Sequence, residues 1–514
     1  MRIKNTIRNS LYAVGSYLSL AILALVIRKF FLDRLPTEYL GYEGLFTDIF
    51  AVLSIADLGL SSVISYRMYP ALARNDEKTL CKLMAIYKMI YRFIGTGIGV
   101  VGLCLIPFLK FIIKDNQLNW NYVYIVYLLQ LVTSLCGYFL AYKRVMLVVT
   151  QRESEITKVE WRCTIFSHIL RIVVLLTLAN YILYLLVSVL SNIVTNYIIS
   201  KKVDRDYVYL SKQRAAITKE DIRELGIGKD IKNNIFQKIC HAVYGGTDSI
   251  LISSIIGISE VGLLSTYSLI SNHVSNLFTK ILNPFQAAIS SFVHDESVQN
   301  KEEMFRMFDR LGFFIAAFVT TSYIVLFNPF IALVFGEKYL LPELFIFAFS
   351  LNQYIGYNHK FLCFYRGSFG KYEIDKFFTF SAAILNIVFS IILAKKIGIA
   401  GIFFGTVIGH MGFWIGRARV VYSEYLDEKV YRYIWRQIAN IVICFLEIGA
   451  TVYICQYFPY SFWGLCLRIG ACLLIPNAIN LLLFCRSDEF ALMKEYFKKT
   501  RTTFLQLRNK ERDK

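Results

Sequence analysis

KKVDRDYVYLSKQRAAITKEDIRELGIGKDIK, residues 201–232, is the longest internal segment whose composition belongs in water. It holds nine Lys/Arg and six Asp/Glu. Thr218 followed by Asp221 has the spacing of a capping box, and Gly226 and Gly228 would stop the short helix it starts. Long apolar runs flank the segment, six of membrane length before it and eight after. That arrangement reads as a cytoplasmic hinge between two halves of an integral membrane protein.

Composition agrees. The chain has 514 residues, 56% hydrophobic, 16% aromatic and only 18% charged, with a mean hydropathy of +0.50. A soluble domain carries roughly 25% charged residues. The net charge of +19 would suit nucleic acid, but the Lys/Arg sit in short connections between apolar runs, as in cytoplasmic loops, so no nucleic-acid partner is expected. The 11 cysteines are scattered singly, mostly inside apolar runs, with no C-x-x-C pair. Neither a zinc site nor a disulfide frame is indicated. The six histidines show no H-E-x-x-H spacing. The first apolar run is too long for a cleavable signal peptide.

Fourteen spans follow, at 11–31, 41–69, 83–109, 119–142, 162–179, 181–200, 233–256, 259–285, 311–335, 340–365, 375–394, 399–421, 436–457 and 461–485. The expected architecture is all-α. It comprises an N-lobe of six helices (1–200), the hinge (201–232), a C-lobe of six (233–422), a C-terminal helix pair (423–485) and a basic tail (486–514). Alternate connections carry 41 Lys/Arg on the side of the N-terminus against eight on the other. Both termini and the hinge are therefore expected in the cytoplasm, with the tail on the anionic inner leaflet. The longest outer connection, 110–119, is too short to hold a catalytic domain, so no enzyme is expected.

The halves echo each other. Lys4-Asn5-x-Ile7 opens the first span and Lys232-Asn233-x-Ile235 the seventh, while Glu38-x-x-Gly41 precedes the second and Glu260-x-Gly262 the eighth. Parallel repeats about an axis along the membrane normal would give this pattern. The run LGYEGLF at 40–46, then ADLGLSS at 56–62, with TDSILISSIIG at 247–257 and V-G-x-x-x-x-Y from Val261 to Tyr267, resembles the bacterial polysaccharide flippases. These are Wzx-like members of the multidrug/oligosaccharidyl-lipid/polysaccharide exporter superfamily. The resemblance implies two six-helix lobes around a cavity that opens alternately inward and outward. The implied cargo is an undecaprenyl-diphosphate-linked oligosaccharide moved to the outer leaflet of the cytoplasmic membrane, with helices 13 and 14 receiving the lipid tail. Membrane lipid and other polysaccharide-assembly membrane proteins are the partners it implies.

Flipping a sugar diphosphate needs hydroxyl partners and cations in a wet passage. On the seventh span, Gln237, His241, Tyr244 and Asp248 share a face. The eighth aligns Ser268, Asn272, Asn276, Thr279 and Asn283, with His273 and Lys280 at its edge. The second offers Thr47, Ser54, Asp57, Ser61 and Ser65, and the tenth Ser350, Gln353, Tyr357 and Lys360. Such stripes also glue helices together. Charges divide similarly. Arg28 either meets the diphosphate or snorkels with Lys29 to the outer interface. Lys88 and Arg92 either capture phosphate at the inner mouth or snorkel. Asp57 and Asp248 either serve a cavity cation, proton or Na⁺, or cap helix ends. No other cofactor and no metal site is expected. Glu447 and Arg468, about ten residues deep in the last hairpin, are expected to form an ion pair, the alternative being that Arg468 faces the lipid diphosphate. The reading is a lipid-linked oligosaccharide flippase. Its rivals are a cation-coupled multidrug antiporter of the same superfamily and, more remotely, a membrane polymerase or ligase.

Overall fold

The computed structural model describes residues 2–54, 60–212, 246–295, 298–368, 376–426, 429–496 and 498, and within them every regular element is a helix. In hydrocarbon, an apolar stretch can satisfy its own N–H and C=O groups only through the intrahelical ladder. Nine helices among the described residues are long and apolar enough to cross a membrane. They fall on nine of the expected spans, and the chain is a multi-pass, all-α membrane protein. Two other spans are described in two parts. The tenth breaks at His359 into Glu343–Asn358 and Lys360–Ser368, and the described parts of the second are the helices Glu38–Leu53 and Leu60–Ala73. Thr218, Asp221, Gly226 and Gly228 lie outside the described residues.

The chain forms two compact units, residues 6–269 and residues 1–5 with 270–514. The first is built from α1 (Arg2–Arg34), α2 (Glu38–Leu53), α3 (Leu60–Ala73), α4 (Glu77–Leu105), α5 (Leu109–Ile112), α6 (Trp120–Leu140), α7 (Arg144–Val149), α8 (Glu153–Thr177), α9 (Tyr181–Asp206), α10 (Tyr209–Lys212), α11 (Asp248–Ile255) and the start of α12 (Ile258–Asp295). Short polar caps start several of these helices. Asp76 accepts from the Thr79 amide at 3.0 Å, and Asn180 accepts from that of Leu183 at 3.1 Å. Each satisfies a donor that the first turn would leave orphaned.

Two glycines of the sequence echo meet here. A Cβ on Gly41 would lie 2.2 Å from the Ile258 carbonyl oxygen, and one on Gly262 would lie 2.3 Å from that of Thr37. The first turns of α2 and α12 therefore touch backbone to backbone, and Ser259 Oγ donates to Glu38 Oε1 at 3.1 Å across the contact. At the same end, the Lys114 amide donates to the Ser253 carbonyl at 3.1 Å, tying the 110–119 connection to α11.

The start of the expected hinge, 201–206, prolongs α9, and its mixed charges are spent on ion pairs. Asp204 accepts from Lys143 at 2.5 Å, Asp206 from Arg152 at 2.5 Å, and Lys202 reaches Glu155 at 2.6 Å. Arg152 also binds Glu155 at 2.8 Å. The Arg152 guanidinium, with Lys202 beside it, holds the Glu155 carboxyl below the usual carboxylate range, against a smaller opposing effect of burial.

The second unit takes the rest of α12, then α13 (Val298–Val334), α14 (Glu343–Asn358), α15 (Lys360–Ser368), α16 (Lys376–Ile397), α17 (Ile399–Tyr425), α18 (Val430–Cys455) and α19 (Phe462–Phe484). In it α16 and α17 are joined by a glycine seam. A Cβ on Gly405 would lie 2.3 Å from the Ser390 amide nitrogen, and Gly401 and Gly409 make similar approaches one turn to either side. Small residues at this spacing let two backbones close up, which is how helices gain packing energy where no hydrophobic force separates them from lipid. Asn386 Nδ2 donates to Thr406 Oγ1 at 2.9 Å within the seam.

Candidate functional site

In the first unit a basic, aromatic-walled cluster forms around Arg28. The α1 helix carries Arg28 to the level where α12 begins, and its Nη1 donates to Ser265 Oγ at 2.8 Å. Ser265 Oγ in turn donates to the Gly262 carbonyl at 2.9 Å. Its ionisable neighbours are Glu43 on α2, Arg171 on α8, and Tyr181 and Tyr184 on α9. The Arg171 guanidinium lies 3.8 Å from the centroid of the Tyr184 ring, a cation–π contact. Its Nε is buried with no hydrogen-bond partner, as is Nδ1 of His168 one turn earlier. Phe31 packs edge-on against both tyrosines, and Tyr181 donates to the Tyr39 carbonyl at 3.0 Å. Among the described residues, two guanidiniums stand against one carboxylate, which leaves this group net positive. Planar forks of this kind suit phosphate oxygens.

Arg171 was missed by the reading of the sequence. Six positions separate it from the end of α8, where a lone arginine looks like a snorkelling one, and its stacking on α9 has no signature in spacing. Arg28 was visible because a charge deep in an apolar run is rare.

The other expected residues are distributed through both units. In the first, Lys88 lies with its ammonium 5.6 Å from the Tyr142 ring centroid, among Arg92, Lys143 and Asp204, while Arg92 is exposed. Asp248 stands in the first turn of α11, where an acid complements the helix dipole. In the second, Asn272, Asn276 and Lys280 form an exposed row on α12 with half-buried His273 beside it. Gln353 and Lys360 are half-buried, with Lys360 5.8 Å from the Phe364 ring centroid. Asp57, Gln237 and His241 lie outside the described residues.

Glu447 and Arg468 are both buried, yet the structure does not bring them together. Arg468 turns along its helix to the hairpin, donating from Nη2 to the Phe458 carbonyl at 2.7 Å and lying over the Tyr460 ring. Glu447 is fully buried. Its polar neighbour is Asn480 of α19. The long arginine side chain carries its charge toward the loop, out of reach of a carboxylate held near the helix axis.

A second polar group unforeseen from the sequence lies inside the second unit. Gln437 Nε2 donates to both oxygens of buried Asp309, at 3.0 and 2.8 Å. Asn358 Nδ2 donates to Gln437 Oε1 at 2.8 Å, and Arg310 Nη1 to Asn440 Oδ1 at 2.8 Å. These bonds fasten α13, α14 and α18 together. Among the described residues no three His, Cys, Asp or Glu side chains gather as a metal site.

No family model matches the chain, and no curated protein matches it either. Solved structures do. A lipid II flippase, MurJ, in an inward closed conformation aligns with a TM-score of 0.62 at 14% identity, over 91% of this chain and 99% of that one. An inward-facing multidrug resistance MATE family transporter of the MOP superfamily aligns with a TM-score of 0.58 at 16% identity, over 78% and 94%. A mutant form of the Vibrio cholerae MATE transporter VcmN gives 0.51 at 14% identity, over 83% and 98%. The chain shares their fold.

Proposed function

We propose that this protein is a flippase that carries an undecaprenyl-diphosphate-linked oligosaccharide from the inner to the outer leaflet of a bacterial cytoplasmic membrane by alternating access. The observation that carries the reading is the Arg28–Arg171 cluster, which sets two guanidiniums against one carboxylate inside a fold similar to that of a lipid II flippase. Uncompensated guanidiniums within a span are costly unless they serve an anion, and a lipid diphosphate is the anion whose passage this fold would serve. Such a role needs no covalent chemistry from the chain. The tail of the cargo would ride on α18 and α19, whose outward faces are apolar.

The test is binding of undecaprenyl diphosphate to the purified protein, alongside polysaccharide export in cells. A hydrogen bond to a charged group contributes about 1.5–3 kcal/mol, so Arg28→Ala and Arg171→Ala should each weaken binding by about tenfold or more, with protein abundance unchanged. Undiminished binding and export in the double variant would remove the cluster from the site. Efflux of a cationic dye that Arg28→Ala enhances would favour the multidrug antiporter instead.

A further inference from the structure

At 38 residues α12 is long enough to cross a membrane, yet it is not among the nine described helices apolar enough to do so. Its contacts within the second unit fix how it lies. The Tyr323 hydroxyl of α13 donates to Ser271 Oγ at 3.4 Å. Ser275 Oγ and the Tyr357 hydroxyl of α14 share a hydrogen bond of 2.8 Å, and Phe278 packs edge-on against the same tyrosine. Phe285 does so against Phe308 of α13. Ser271, Ser275, Phe278 and Phe285 therefore make one face, turned to α13 and α14. Tyr323 and Phe308 both belong to the stretch of α13 that is apolar enough to span. This part of α12 thus lies at membrane depth.

At about 100° per residue, two further faces separate. Ile270, Val274, Leu277 and Ile281 form an apolar one, with Ile281 52% exposed, as a surface against lipid requires. Asn272, Asn276 and Asn283 fall together on a third side with Lys280, and all four are exposed. Amides exposed to hydrocarbon would be costly, so this side faces water. They are not the glue between helices, because the serines of the contact face serve there. Between Glu260 and Asp295 the helix has no acid, so the row offers a cationic drug nothing. An amide both donates and accepts. A phosphate accepts only and would use half of it, whereas a sugar hydroxyl does both and uses the whole. From Asn272 to Asn283 the row rises ~16 Å, longer than one sugar ring. We propose that the Asn272–Asn276–Asn283 side of α12 is a glycan-binding rail, which holds the hydroxyls of the oligosaccharide part of the cargo. This assignment rests on the flippase reading and adds that diphosphate and saccharide are held by different residues.

The test uses the purified full-length protein in lipid nanodiscs and two probes. One is undecaprenyl diphosphate without sugar, the other the glycan-bearing lipid extracted from cells that make the protein. The pair Asn272→Ala and Asn276→Ala should bind the sugar-free probe like the wild type. It should bind the glycan-bearing probe about tenfold more weakly, as expected from the loss of two neutral hydrogen bonds. A second arm replaces Cys104, Cys466 and Cys485 by serine. In that background Asn276→Cys should react with a water-soluble maleimide and be protected by the glycan-bearing probe alone, while Ile281→Cys should react slowly throughout. If the alanine pair loses both probes through misfolding, this second arm decides. Wild-type binding of the glycan-bearing probe by the alanine pair would overturn the rail, as would an Asn276→Cys that is unreactive, unprotected or protected equally by both probes. Each of these results leaves the flippase reading in place. A wild type that binds neither probe would overturn that reading, and the rail with it.

Discussion

Glu155 shows what a single charge contributes at the polar end of the first unit. Its side chain is 23% exposed and is gripped by Arg152 and Lys202, and this pairing holds its carboxyl below the ordinary range. A carboxylate depressed in the folded state adds stability that is fully present above its unfolded pKa of ~4.3. That stability is lost as pH falls through the folded value. Glu155→Gln should therefore lower stability by about 0.5–1 kcal/mol near neutral pH. The gap in melting temperature between the variant and the wild type should close below about pH 4. A gap of constant size across that range would mean that shape, not charge, holds the corner. The same scale shows what could be read in advance. Depth along a helix follows from counting residues to a turn, and burial of Glu447 and Arg468 was legible that way. The direction around the axis was not, because both helices are apolar on most faces and an arginine can slide its charge by a turn. Depth alone therefore could not decide that the two charges pair.

At the scale of elements, glycines decide how close helices come. The echo between Glu38-x-x-Gly41 and Glu260-x-Gly262 was visible in the sequence, and in the fold each glycine faces a carbonyl at the start of the other's helix. The seam at Gly401, Gly405 and Gly409 was equally available as glycines four residues apart, but spacing alone does not name the partner helix. Both contacts predict the same response. In Gly41→Ala and Gly405→Ala the new methyl must displace backbone rather than a flexible side chain, so each should cost about 1–3 kcal/mol. Gly97, inside α4, has nothing within 4 Å of its added Cβ. Gly97→Ala should instead be neutral or stabilising by up to about 1 kcal/mol. Melting temperatures of the three variants in one detergent decide the matter, and equal effects in all three would refute the close approaches.

For the molecule as a whole, helical spans were legible from apolar length, because hydrocarbon leaves the backbone no other solution. The grouping of polar residues was less so, since Asp309, Gln437 and Asn358 come from three helices far apart in sequence. Orientation in the membrane rests on charge, and it yields the last prediction. Lys/Arg are expected to be 41 on one side against eight on the other, and each basic residue near an anionic inner leaflet gains about 1 kcal/mol. An imbalance of that size should bind the whole chain to one topology. The connection holding Asp115 meets the end of α11 and the start of α12, through Lys114 and Ser253 and through Ile258 and Lys114. These three ends must lie on the same side. Glu337, in the short turn after α13, belongs to that side by the alternation of spans, and Lys202, at the end of α9, to the opposite one. In a background where the exposed Cys104, Cys466 and Cys485 are replaced by serine, Asp115→Cys and Glu337→Cys should react with a membrane-impermeant maleimide on intact cells. Arg205→Cys, exposed at the end of α9, should react only after the cells are opened. Labelling of Arg205→Cys from outside, or protection of Asp115→Cys there, would invert the topology and place the Glu155 corner on the outer surface.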